Sequence, residues 1–105
     1  MQIKVLVEKI DEIINKMFSE DYNIYVKIKE CLGAVNEVYK ELIVMAPELN
    51  RIGLNIDVNI VLQQLTNVSE AIESRDKVQL FDALKFEILP TLNLYREIRE
   101  IMEQE

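Results

Sequence analysis

Between Asp76 and Glu103, apolar side chains return every three or four residues, at Val78, Phe81, Leu84, Ile88, Leu92, Tyr95, Ile98 and Met102. That spacing keeps them on one face of a helix. A second set (Leu80, Ala83, Leu94 and Ile101) widens the face to roughly half the circumference, where an ordinary surface helix needs about 100°. A helix this apolar requires neighbours on more than one side. Asp76 stands three residues before Gln79, the spacing of a capping box, and marks its start. Pro90 has no N–H to offer the Phe86 carbonyl, which predicts a kink within the helix. The closing Glu103-Gln104-Glu105 sets negative charge against the negative end of the helix dipole, so the last turn is expected to fray.

Three further helices are predicted. The first runs from Ile3 to Met17 or Phe18 with a narrow stripe of Ile3, Leu6, Val7, Ile10, Ile13, Ile14 and Met17, and with Glu12 and Lys16 as an i,i+4 pair outside it. Ser19 and Asp21 are candidate N-caps for the second, expected over Tyr22–Met45. There Tyr25, Ile28, Leu32, Val35, Tyr39, Leu42 and Ala46 alternate steps of three and four, the seam of packed helices. A parallel line of Ile24, Cys31, Val38 and Met45 doubles its width. Gly33 falls inside this helix at a cost of about 1 kcal/mol, and close approach of another backbone would explain it. Pro47 is expected to end the segment, leaving residues 47–56 as the one long connection. The third helix starts near Asn55 or Asp57 and ends near Ser74, with Val58, Val61, Leu62, Leu65, Val68 and Ile72 inward and Gln63, Gln64, Asn67, Glu70 and Glu73 outward. Four helices, two short turns and one longer connection make a single all-α domain over residues 1–105, an antiparallel up-and-down four-helix bundle with a proline-kinked last helix.

Composition excludes several function classes. With 105 residues, half of them apolar, but only two glycines and two prolines, the chain suits long helices around a real core rather than disorder. A net charge of −7 repels phosphate backbones and anionic membrane surfaces, so neither nucleic acid nor membrane is an expected partner. No apolar run approaches the roughly 20 residues of a spanning helix. Charged residues from Lys4 to Asp11 interrupt any leader-like stretch. A cytoplasmic protein is the expectation.

Catalytic chemistry is poorly provided for. The chain has no histidine, which removes the commonest general base and the Ser-His and Cys-His nucleophile pairs. The single cysteine, Cys31, lies in an apolar arc, where a thiol serves as a small hydrophobe. The carboxylate groups Glu8, Asp11, Glu12 and Glu97, Glu100, Glu103 are spaced to hold a hard cation, but they fall on polar faces that water solvates. No glycine-rich loop cradles phosphate. No cofactor and no metal is expected, and the chain is read as a non-enzyme.

What remains is apolar surface on the second and fourth helices beyond the stripes of the first and third. Residues 47–56 lying across it would cover the excess; so would a homodimer, or a groove that receives a partner's amphipathic helix. Of the two interfaces the homodimer is favoured. The expected contact residues are Leu80, Phe86, Leu94, Ile98 and Ile101 on the fourth helix, with Ile24, Val38 and Met45 on the second. Phe86 sits off the arc among polar residues, where an aromatic serves as an interface anchor or packs beside Pro90.

The stretch from Ala71 to Leu92 contains Ala71-Ile72-Glu73-Ser74-Arg75-Asp76, then Glu87-Ile88-Leu89-Pro90-Thr91-Leu92. It resembles a segment of a family of short, uncharacterised all-helical proteins of Gram-positive bacteria, in which an AI-x-x-x-D turn leads into a helix ending E-x-L-P-x-L. It departs at Lys77, where that pattern usually has an aromatic. The resemblance implies a bacterial cytoplasmic protein, and since some such proteins accompany flagellar genes, one akin to the export chaperones of flagellar subunits. Three functions are therefore carried forward. The first is a non-enzymatic module that self-associates or binds a helical partner. The others are an export or assembly chaperone for a helical client, and an acidic metal-binding protein or enzyme.

Overall fold

A computed structural model describes residues 1–104. Among them there is no strand; the chain forms α1 (Ile3–Lys16), α2 (Ile24–Arg51), α3 (Val58–Ser74) and a fourth rod built of α4 (Lys77–Ala83), a π-helical turn (Leu84–Ile88) and α5 (Leu89–Glu103). The body measures 45 × 26 × 19 Å. Its long dimension is set by α2, whose 28 residues span about 42 Å at 1.5 Å per residue.

Local chemistry starts each later helix where an Asx side chain faces the first turn. Asp57 accepts from the N–H groups of Asn59 and Ile60, and Asp76 from that of Gln79 at 3.0 Å; the sequence predicts the cap at Asp76 and leaves the start of α3 between Asn55 and Asp57. In α2 the cap is Asn23, which accepts from Val26; Ser19 and Asp21 lie in the preceding turn, so the helix begins two residues later than expected.

Pro47 does not end α2, which continues to Arg51. The proline ring lies on the exposed face, while Leu42, Ala46 and Leu49 around it are all buried. Burial of that continuing stripe outweighs one lost backbone hydrogen bond. The helix stops instead at Gly53, whose φ of 99° is the left-handed conformation glycine tolerates. Leu54 N–H bonds the Leu49 carbonyl and Gly53 N–H that of Asn50, the paired bonds of a Schellman motif. Arg75, at φ 54°, closes α3 in the same way, with Arg75 and Asp76 donating to Ile72 and Ala71. The true connection is therefore only residues 52–57. Asn50 ties it down by exchanging hydrogen bonds with the backbone of Ile56. Ile52 and Leu54 remain exposed and only Ile56 packs on the core, so this segment does not cover the apolar excess.

A π-helical turn replaces regular α-helix just before Pro90, with Leu89 N–H bonded to the Leu84 carbonyl. Buried Leu80, Leu84, Ile88 and Leu92 are spaced by four three times over. On a regular α-helix that spacing drifts by about 120°. The wider π turn winds fewer degrees per residue and holds the four in line. Part of the half-circumference arc inferred from a uniform α-helix is thus taken up by this unwinding.

Contacts between helices account for much of the rest. Both α2 and the fourth rod touch each other, and both also touch α1 and α3. Helices on the inner diagonal need broader apolar arcs than the two that flank them, so equal widths were not to be expected. One continuous core results, with Tyr39, Leu6, Ile10, Met17, Ile24, Ile28, Leu42, Leu80 and Leu92 among its fully buried members.

Burial pushes the Tyr39 phenol well above its ordinary value of 10.0, and the nearby Thr91 hydroxyl offsets this only in part. A phenol whose ionisation is disfavoured in the fold contributes stability that is complete below pH 10.0 and is lost as pH rises above it, when the unfolded chain releases the proton first. Urea melts between pH 8 and 11 are expected to show this loss, at up to about 1.4 kcal/mol per pH unit. Tyr39→Phe should flatten the dependence.

Candidate interaction surface

The eight residues inferred as partner contacts divide sharply. Leu80, Ile98 and Ile24 are buried in the core and present nothing to a partner, and Val38, also buried, reaches the surface only in the wall of a cleft. The helical wheel placed them outward because it assumed uniform α geometry and equal arcs; the π turn and the inner-diagonal position of α2 bring them in. Leu94 and Met45 are half-buried against the core. Phe86 and Ile101 are exposed, at 64% and 61%.

Two surfaces gather the exposed apolar side chains. The first is a cleft of about 470 Å³ between α2 and α5, lined by Val44, Met45 and Met102 and rimmed by Glu37, Lys40, Glu41 and Arg99. Val44 is 73% exposed and lies outside the stripe that faces the core. On the other side of Glu41 and Arg99, a second cleft of about 610 Å³ opens toward the start of α1, with Ala34, Val38 and Tyr95 in its wall. The Tyr95 hydroxyl donates to the Glu41 carboxylate between them, joining α5 to α2.

The second surface surrounds the π turn. Phe18, just past α1, stacks at a tilt on Phe81 of α4 with ring centroids 5.6 Å apart, and Phe81 meets Phe86 edge-on at 6.4 Å. The Lys85 ammonium lies over both Phe81 and Phe86, 5.3 and 5.7 Å from their centroids, in cation–π geometry. Phe86 thus packs into an aromatic trio rather than standing alone. Sequence reasoning missed Phe18 and Val44 as surface candidates; the available signal was an apolar residue outside its own helix's stripe.

Other candidates are less suited to chemistry. Cys31 is buried, and burial pushes its thiol upward, which keeps it protonated and unreactive. The carboxylates of both acidic groups are exposed; Glu12 pairs with Lys16 at 3.0 Å as its spacing predicts, and Glu100 and Glu103 approach Arg96 and Arg99. Among the described residues no three histidine, cysteine, aspartate or glutamate side chains come together to hold a metal. No helix there is long and apolar enough to cross a membrane.

Residues 2–98 match the model of a family described as a domain of unknown function, DUF8042. The chain belongs to the DUF8042 family. The match takes in all of α1 to α4, the π turn and most of α5, including the Ala71–Leu92 stretch that carries the resemblance to short helical proteins. It says nothing of flagella. No match to the chain was found among curated proteins or among solved structures.

Proposed function

We propose that this DUF8042 chain is a non-enzymatic helical module that docks another protein on the outer surface of α2 and the fourth rod. In this reading it is a single cytoplasmic domain, its rods forming an antiparallel up-and-down bundle with Pro90 kinking the last. The observation that carries the reading is the Val44–Met45–Met102 cleft, an apolar floor within a charged rim. That arrangement, apolar at the centre and polar at the edge, is how protein interfaces are built. The absence of histidine and the buried, protonated Cys31 thiol favour binding over catalysis. Of the remaining contact candidates Met45 lines the cleft, while Ile101 adjoins Met102 in sequence and Leu94 lies about two turns further back along α5.

A second reading, a chaperone that holds a helical client before export or assembly, is favoured by the aromatic trio. Exposed aromatics recur as interface anchors, and Phe86 and Phe18 together offer more ring surface than a single incidental side chain.

A photo-crosslinking amino acid placed at Val44, Met102 or Phe86 separates these readings in the native cell. Discrete adducts from Val44 and Met102, with none from exposed Glu70 on α3, are the expected outcome. Adducts from Phe86 alone would favour the client-holding reading. If all three positions give no adduct, the docking function is wrong.

A further inference from the structure

We infer that the occupant of this surface is a second copy of the chain, seated with its α2 antiparallel to the first; the inference rests on the docking function above and names its partner. The exposed face of α2 carries a stripe from Val26 to Arg51 whose members step alternately by four and three residues, with every one of them exposed. This face lies opposite the seam that meets the core, and it is half charged: Glu30, Glu37, Lys40 and Arg51 share it with Val26, Gly33, Val44 and Pro47. Placed against itself about a two-fold axis midway between residues 38 and 39, the stripe is complementary at every level but that of Glu30, which faces Pro47. Glu37 meets Lys40 of the second copy, twice by symmetry, and Lys29 meets Glu48 beside the seam. Val44 meets Gly33, and Val26 lies along the stem of Arg51.

Three features within one chain support this register. Among the described residues neither Glu37 nor Lys40 has an ion-pair partner of its own, although other helical pairs on the surface close to 3.0–3.9 Å. Gly33, unfavourable inside a helix, is not explained by the fold: a Cβ there would meet nothing within 4 Å. The expected close approach to another backbone is absent inside the chain, and the space lies outward, where the opposing Val44 would enter. Val44 in turn is highly exposed and continues into the cleft with Met45 and Met102. An isologous contact of this kind closes at two copies. Like charges of the two chains farther apart than the Debye length of about 8 Å at 0.15 M salt are largely screened, so the nearby pairs weigh most in the contact.

Sedimentation equilibrium of the full chain at 0.15 M salt tests the pairing. The mass is expected to rise from 12.3 kDa toward twice that with concentration. Glu37→Lys and Lys40→Glu should each raise the dimer dissociation constant about tenfold or more, since like charges then face each other. The double variant should return to within about threefold of the parent, because each reversed charge again meets its opposite. Gly33→Leu should block association while circular dichroism shows the fold retained, as nothing in its own chain obstructs the side chain. A chain that stays monomeric to millimolar concentration overturns the inference, and so does a dimer indifferent to both charge reversals. Either result, combined with Val44 adducts to a different protein, would leave the docking function standing; without any adduct, both fall.

Discussion

Deletion of Phe86 is expected to leave the chain folded, whereas deletion of Asn36 is expected to unfold it. Removing one residue from a regular helix rotates everything beyond it by about 100° relative to what precedes it. In α2 that would swing Val38, Tyr39, Leu42, Ala46 and Leu49 away from their neighbours, or else Ile24, Ile28, Cys31 and Val35. Each half carries several side chains worth about 1.5–3 kcal/mol of burial apiece, more than a domain of this size has in reserve. The π turn is different, because it already holds a residue more than α-helical winding requires. Without Phe86, residues 84–88 can wind as α-helix with Leu84 and Ile88 still facing the core. The losses are the edge-on contact with Phe81, about 0.5–1.5 kcal/mol, and the Lys85 contact over the ring. Thermal melts followed by circular dichroism distinguish the two deletions. Equal collapse of both would mean that the π turn is needed for the fold.

Gln64→Leu is expected to cost about 1–3 kcal/mol, a large effect for a half-buried glutamine. Its side-chain oxygen accepts hydrogen bonds from the Tyr39 hydroxyl at 2.6 Å and the Thr91 hydroxyl at 2.7 Å, so one amide joins α2, α3 and α5. Leucine removes the shared acceptor; the half-buried Thr91 hydroxyl is near enough to accept from Tyr39, so one donor is left unsatisfied, at about 1–3 kcal/mol. Removing a donor instead is milder. Tyr39→Phe and Thr91→Val should cost about 1 kcal/mol each, since Gln64 is open enough to turn to water. The triple variant should be more stable than Gln64→Leu alone, and denaturant titration of all four would measure the coupling. If Gln64→Leu proved neutral, the shared oxygen would not be holding these helices together.

That node was not legible in the sequence, and the reason is specific. Helical spacing assigned Gln64 and Asn67 to the polar side of α3, which is correct for the helix alone. Gln64 finds its donors 25 and 27 residues away, and Asn67 donates to Glu87 20 residues away at 2.9 Å. No periodicity within one helix signals a polar contact across three of them. The same holds for the aromatic trio, whose rings come from the end of α1, from α4 and from the π turn. Of the contact residues read from the wheel, Phe86 and Ile101 are exposed; Phe86 lies outside the apolar arc, whereas Ile101 belongs to the set that widens it, of which Leu80 and Ala83 are buried.

Local signals acted alone where only neighbouring residues were involved. The run of apolar residues at steps of three and four specified helix throughout, and Asp76 marked the start of α4 because its carboxylate meets an N–H three residues on, while the start of α3 was narrowed only to Asn55 or Asp57. The tertiary structure decided the contests between local and distant forces. Pro47 would end an isolated helix, yet burial of Ala46 and Leu49 against other helices carries α2 on to Gly53. Pro90 predicted a kink; the structure has a π turn directly before it, where the four-residue spacing of Leu80, Leu84, Ile88 and Leu92 is kept on the core. The width of an apolar arc could be counted from the letters; which part of it meets another helix depends on where that helix lies, and that is set by the core as a whole.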